Sequence, residues 1–484
     1  MLQESILTRL SEQFYSRVKL AGLQTAHWVA VNEGLAREIG LPEHFFAQEN
    51  SLALLSGNAD YAVQPWASVY SGHQFGVYVP QLGDGRAACL GQTQTADGKT
   101  WEWQLKGAGK TPFSRFADGR AVLRSSIREY LASEAMAALG IPTTRALALV
   151  GGSDKVYREE VETVAIVTRL APSFLRFGHF EYFYHKGQHD ALKQLWDFAL
   201  SHYFAECQNE DEPYLAMFAE ISRRSVQLVA AWQAVGFCHG VLNTDNMSLL
   251  GLTIDYGPFG FLDAYDRRHV CNHSDATGRY AYQEQPSIVH WNLIRLASCL
   301  LPFCQEADLV AILDEFAGQF EQAYEAKMRA KLGLQTAQAD DGDLIADLLR
   351  IMQQQRVDFT LFFRNLSLVQ NAHDAPIPEP LSDLLSDKND KTFALWLGRY
   401  RRRLRLENSD EAERKMRMDS VNPLYVLRNY LLEQAIALAK TGDFREIERL
   451  QTCLQNPFVE QKQFADFAVL PPDWAAEICV SCSS

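Results

Sequence analysis

The stretch from Phe237 to Gly257 reads FCHGVLNTDNMSLLGLTIDYG and gathers a His, an Asp-Asn pair and an Asp-Tyr-Gly within 21 residues. In kinase-type phosphoryl transfer a loop of pattern H-R-D-x-x-x-x-N supplies a base and a metal-binding Asn, and an Asp-x-Gly downstream supplies a second metal ligand. His239 stands seven residues before Asn246, as that pattern requires. The position two after the His, where the base belongs, is Val241, while a carboxylate stands beside the Asn at Asp245. The loop keeps its metal ligands and loses its ordinary base. That departure governs the rest of the reading.

A chain of 484 residues, 47% of them hydrophobic, can bury a large core, and its length alone suggests two or three domain-sized units. The formal charge of -14, from 60 acidic against 46 basic residues without a long basic block, argues against nucleic acid as a partner. The start, MLQESILTRLSEQFYSRV, has polar residues every few positions and reads as a short amphipathic helix, not a secretory signal. No run approaches the roughly 18 apolar residues of a membrane span. Nine scattered cysteines form no secreted disulfide framework, so a reducing cytoplasm is the expected setting.

Along the chain, Val69 to Val167 is rich in strand signals punctuated by glycine. Phe75 to Leu82 and Ala87 to Thr93 flank Gly83-Asp84-Gly85-Arg86, and the Asp97-Gly98 turn leads into a strand from Trp101 to Lys106. Asp118 is the expected N-cap of a helix over Arg120 to Leu139, and strands are expected at Leu147 to Val150 and Val161 to Thr168. From about Ala191 the chain turns helical. The expected fold is α+β: a two-lobed, protein-kinase-like arrangement with a β-rich N-lobe and a larger α-helical C-lobe. Its expected divisions are a helical extension over 1–68, the N-lobe over 69–170 and the C-lobe over 171–484.

A Gly-x-Gly turn is usually only a tight turn, but a Gly loop between strands followed by a lysine at a strand end is how kinase-like small lobes hold nucleotide phosphates. Here glycine lets backbone N–H groups approach the anion, and Lys106 with Arg86 offsets its charge. Glu129 on the following helix is a candidate ion-pair partner for Lys106, with Glu134 as a competitor on the same helix. Asp118-Gly119-Arg120 marks the expected helix start, where free N–H groups favour anions, though a plain cap is an equal reading. Asp245, Asn246 and Asp255 are hard oxygen donors of the kind magnesium or manganese takes beside phosphates, with Leu249 to Ile254 as the expected intervening strand. Arg169 and Arg176 flank the turn TRLAPSFLRFG and suit multidentate phosphate recognition. Cys479-Val-Ser-Cys482 lies near the end, and Cys271 is the expected disulfide partner for this tail.

Taken together, the motifs YSGHQFGVYVPQLGDGRA, QLKGAGKTPFSRFADGRAVLRSSIREYLASEAM, HGVLNTDNMSLLGLTIDYGPFGFLD and VNPLYVLRNYLLEQAI, with the terminal CVSC, resemble the selenoprotein O family of kinase-fold protein nucleotidyltransferases. The resemblance covers essentially the whole chain. It implies that ATP binds inverted and that AMP passes to protein Ser, Thr or Tyr hydroxyls, with pyrophosphate released and self-modification among the products. It further implies manganese or magnesium and, in some bacterial members, UMP transfer from UTP. The nucleotide site implied comprises Gly83, Gly85, Arg86, Lys106, Asp118, Gly119, Arg169 and Arg176; Asp245 is implied as proton acceptor and Asn246 with Asp255 as metal ligands. Where eukaryotic members carry selenocysteine, this chain has Cys482. The alternatives are a nucleotide-binding pseudokinase without transfer, favoured by Val241, and a redox-regulated scaffold working through Cys479 and Cys482.

Overall fold

The computed structural model describes residues 2–481. Its N-lobe centres on an antiparallel sheet whose strands are β1 (Tyr15–Arg17), β2 (His27–Val31), β3 (Trp66–Ser68), β6 (Ala87–Gln94), β7 (Thr100–Lys106), β8 (Ala121–Val122), β9 (Arg145–Tyr157) and β10 (Val161–Ala171). Between β3 and β6 a separate hairpin forms from β4 (Gly72–Gln74) and β5 (Val77–Val79). The sheet order is β1-β3-β6-β7-β10-β9-β2, with β8 paired to β10. Its central strands are buried along nearly their whole length because both faces are covered. Helix α3 (Leu123–Ala138) lays Ile127, Tyr130, Leu131 and Ala135 on one face. On the other, Leu35 of α1 (Glu33–Glu38), Ile39 just after it and Leu55 at the end of α2 (Glu49–Leu55) pack on Leu90, Trp103, Leu105 and Ile166. Each leucine or isoleucine taken fully out of water contributes about 1.5–3 kcal/mol.

That second layer corrects the expected helical extension over 1–68. The segment supplies both outermost strands, β1 against β3 and β2 against β9, and opens on one short 3-10 turn, Ile6–Arg9, in place of an amphipathic helix. An exposed sheet edge carries unpaired N–H and C=O groups, and an apolar sheet face needs cover; this segment meets both demands.

The C-lobe is helical, beginning with α4 (Phe177–His185), α5 (His189–Tyr203), α6 (Pro213–Val235) and α7 (Gln285–Ser298). Gly236, at φ 76°, ends α6 in the left-handed region that glycine enters without strain. The expected strand at Leu249 to Ile254 does not form; Gly251 turns the chain there at φ 70°. The two short strands near the loop instead lie outside it, β11 (Phe237–Cys238) pairing with β12 (Gly260–Phe261). A second helical core gathers Leu348, Phe363, Trp396 and Tyr400. The chain then returns to the N-lobe, where Arg128 on α3 donates to the Asn429 side chain at 3.1 Å and Gln451 donates to the Val31 carbonyl at 3.0 Å.

Candidate active site

Strand register brings the glycine loop and the lysine together. Lys106 stands opposite Ala87, the residue after Gly83-Asp84-Gly85-Arg86, and Gly107 N–H donates to the Arg86 carbonyl at 2.6 Å. Gly83 sits at φ 83°, and a β-carbon there would lie 2.5 Å from the ring of Phe113. At Gly85 it would lie 2.9 Å from the Phe113 carbonyl oxygen. Glycine is required because the turn around Phe113 presses on the loop from behind. Asp84 points inward, its carboxylate accepting from Ser68 N at 3.0 Å and Ser68 Oγ at 2.6 Å.

Beneath this loop lies a buried charge cluster. Lys106 Nζ is 2.7 Å from Glu129 Oε2 and 3.0 Å from Asp255 Oδ1. Arg169 reaches Glu129 Oε1 at 2.8 Å and Asp255 Oδ1 at 2.5 Å, and Arg176 reaches Asp255 Oδ2 at 2.5 Å. Glu134 is taken instead by Arg145, at 2.8 Å, so of the two helix glutamates only Glu129 meets the lysine. Burial works to raise the Asp255 pKa, but Lys106, Arg176 and Arg169 together hold it well below the usual carboxylate range. Asp255 adopts φ 57°, a left-handed conformation that costs a non-glycine residue on the order of 1–3 kcal/mol. The surrounding ion pairs hold it there.

Asp245 occupies a 3-10 turn, Thr244–Asn246, that lines the cleft next to Arg176. Its main-chain carbonyl accepts from Arg176 Nη1 at 2.9 Å, and its Oδ2 accepts from Gln74 Nε2 at 3.2 Å. Its Oδ1 is buried without a hydrogen-bond partner among the described residues. Burial pushes the Asp245 carboxyl up to about 7, against the opposing pull of Arg176 and the Gln74 hydrogen bond. His239 lies apart from the cleft: its Nε2 contacts the Ile254 carbonyl at 3.0 Å and its ring packs beside Trp232, so it braces the loop.

Asp118 and Gly119 line the same cleft but do not begin a helix. α3 starts at Leu123, capped by Val122 without a side-chain hydrogen bond, because Ala121 and Val122 are drawn into the sheet against β10. The Asp118 carboxylate accepts from Arg120 N at 2.9 Å and from Arg158 Nη2 at 2.7 Å, and the Arg158 hydrogen bonds hold it below its ordinary value. What this end of the cleft offers an anion is therefore arginine, not a helix terminus.

The cleft encloses about 720 Å³ and is lined by every residue named so far for nucleotide, metal or base. Seven cations (Arg86, Lys106, Arg115, Arg120, Arg158, Arg169, Arg176) face five acids (Asp84, Asp118, Glu129, Asp245, Asp255) in a protein whose formal charge is -14. A positive cleft in an acidic protein selects a polyanion. For a divalent cation the donor chemistry fits: Asp255 offers a carboxylate, and Asn246, whose Nδ2 donates to the Val241 carbonyl at 2.9 Å, keeps its amide oxygen as a hard donor.

Sequence reasoning missed Gln74 and Arg158, the partners of Asp245 and Asp118. Neither carries a local signal, since each arrives on a hairpin from far along the chain. The described cysteines stand outside the cleft. Cys271 is buried with its Sγ 3.4 Å from Cys238 Sγ, Cys479 is exposed, and Cys482 lies outside the described residues. The tail does return to this region, as His273 N–H donates to the Val480 carbonyl at 2.8 Å.

Among proteins of known family, the family described as protein adenylyltransferase SelO matches residues 2–455. The protein nucleotidyltransferase YdiU of Thioalkalivibrio sulfidiphilus is 52% identical over 484 residues, covering 98% of this chain and 97% of the relative. That of Burkholderia multivorans is 50% identical over 495 residues, covering 98% of this chain and 94% of the relative. A solved structure of ROP2 from Toxoplasma gondii, titled a virulence factor with a protein-kinase fold and no enzymatic activity, aligns over 78% of this chain and 97% of its own at 10% identity. Its TM-score of 0.24 is too low to carry an argument. With a family match and half-identical relatives spanning nearly its full length, this chain belongs to the SelO family.

Proposed function

We propose that this protein is a nucleotidyltransferase that moves AMP from ATP, or UMP from UTP, onto hydroxyl groups of proteins, its own included. The observation that carries this reading is Asp245: a carboxyl that burial pushes up to about 7, on a turn that lines the positive cleft beside Arg176. A general base works best with a pKa near the working pH.

In the reaction proposed, a Ser, Thr or Tyr oxygen of the substrate attacks the α-phosphorus as its proton passes to Asp245. The new bond is O–Pα. The bond from Pα to the bridging oxygen of the β-phosphate breaks, and pyrophosphate leaves with the electron pair. Lys106, Arg169 and Arg176 are set to counter charge on the reacting phosphates, while Arg158 and Arg120 near Asp118-Gly119 suit the triphosphate tail of an inverted nucleotide. When bound at Asn246 and Asp255, magnesium or manganese supplies further neutralisation of phosphate charge. Glu129 keeps Lys106 and Arg169 aimed.

Intact mass and peptide mass spectrometry after incubation with ATP or UTP test this reading. The expected result is an adenylyl or uridylyl addition on Ser, Thr or Tyr that is absent in Asp245→Asn. A gain of one phosphoryl group would restore ordinary kinase chemistry.

A further inference from the structure

Beside the catalytic turn, but outside the cleft, three side chains with metal-binding chemistry converge. His73 projects from β4, and Glu181 and His185 lie four residues apart on α4, the spacing that places two side chains on one helix face. One ligand atom from each lies within 4.8 Å of the other two. His73 Nδ1 and Glu181 Oε1 are 2.5 Å apart. His73 and Glu181 are buried and His185 is exposed, so the group opens to solvent on one side only.

The surroundings hold the imidazoles in place. The Tyr78 ring lies 3.9 Å from that of His185 and 5.2 Å from that of His73, and Trp291 meets His73 edge-on at 5.3 Å. Two imidazoles and one carboxylate form a three-ligand zinc set with a fourth position open. Magnesium, which prefers six oxygens, suits Asn246 and Asp255 and not this group.

We propose that His73, Glu181 and His185 form a second metal site, taking a zinc-type transition-metal ion, which clamps the β4-β5 hairpin and α4 onto the catalytic turn. The link to that turn is direct. Thr244, next to Asp245, donates its hydroxyl to Glu181 Oε2 and accepts from the His73 main-chain N–H at 2.7 Å. The residue after His73 is Gln74, which hydrogen-bonds Asp245. An ion shared by His73 and Glu181 therefore fixes the hairpin that positions the base, in the way outer contacts orient working groups.

The test is a cobalt(II) titration of metal-stripped full-length protein in excess magnesium, followed by visible absorption and by metal analysis after desalting. One equivalent should bind with the intense bands of tetrahedral, nitrogen-ligated cobalt, and zinc should displace it. His185→Ala, at an exposed position that leaves the fold intact by circular dichroism, should lose the bands and at least tenfold in affinity. Asp255→Asn should keep both. Zinc should raise the melting temperature of the unsubstituted protein and not that of His185→Ala. Absence of tetrahedral bands, their persistence in His185→Ala, or their loss in Asp255→Asn would each overturn the proposal.

Discussion

Gly72 closes directly against Asp245: a β-carbon at Gly72 would lie 2.7 Å from Asp245 Oδ1 and 2.9 Å from its Cβ. The backbone there needs no glycine conformation, so the constraint is the close approach alone. Gly72→Ala should push the carboxylate aside, and displacements of about 1 Å at a reacting group can cost on the order of 10² in rate. Nucleotide affinity should remain. Equilibrium dialysis beside a transfer assay checks this, and an unchanged transfer rate would separate Gly72 from the base.

Asp245→Asn keeps the side-chain size and removes its basicity, which should lower transfer by about 10²- to 10⁴-fold without loss of nucleotide binding. In the unsubstituted protein kcat/KM should rise with pH below about 7 and level off above it, because only the ionised carboxyl accepts a proton. Gln74→Leu removes a hydrogen bond that favours the ionised form, so the midpoint should move to higher pH. For stability the sign is opposite. The folded carboxyl holds its proton more tightly than an ordinary Asp at 3.8, so its contribution is greatest below that value and is lost as pH rises through about 7.

Asp255 is the shared counter-ion of Lys106, Arg169 and Arg176. Asp255→Asn should weaken metal-dependent nucleotide binding by about 10- to 100-fold, the equivalent of about 1.5–3 kcal/mol for one charged contact. Asn246→Ala should be milder. Calorimetry with and without magnesium or manganese distinguishes the two, and equal nucleotide affinity in Asp255→Asn would remove it from the metal site.

Much of the site is legible in sequence because its signals are local. Asn246 and Asp255 stand out by their spacing from His239, and Lys106 by following the glycine loop. The partner of Lys106 is not legible: Glu129 and Glu134 share α3, and only the tertiary approach of Arg145 to Glu134 separates them. Asp118 before an apolar helical pattern is a sound cap by propensity, yet pairing of Ala121 and Val122 with β10 takes those residues first. The same competition gives the N-terminal segment its strands, since β1 and β2 answer sheet edges that no local pattern reveals.

We propose redox control through Cys271 and the tail cysteines. His273, two residues on from Cys271, donates its N–H to the Val480 carbonyl at 2.8 Å, which brings the described end of the tail beside it. Oxidised protein should differ in activity from reduced protein, and Cys482→Ser should erase the difference. Non-reducing peptide maps that always find Cys271 and the tail cysteines free after mild oxidation would end this expectation.

Parallel incubations with α-labelled and γ-labelled ATP show most directly which phosphorus is attacked. If Asp245 serves transfer onto the α-phosphorus, label from the α position stays on protein and label from the γ position leaves as pyrophosphate. Protein labelled from the γ position, and not from the α, would contradict the account.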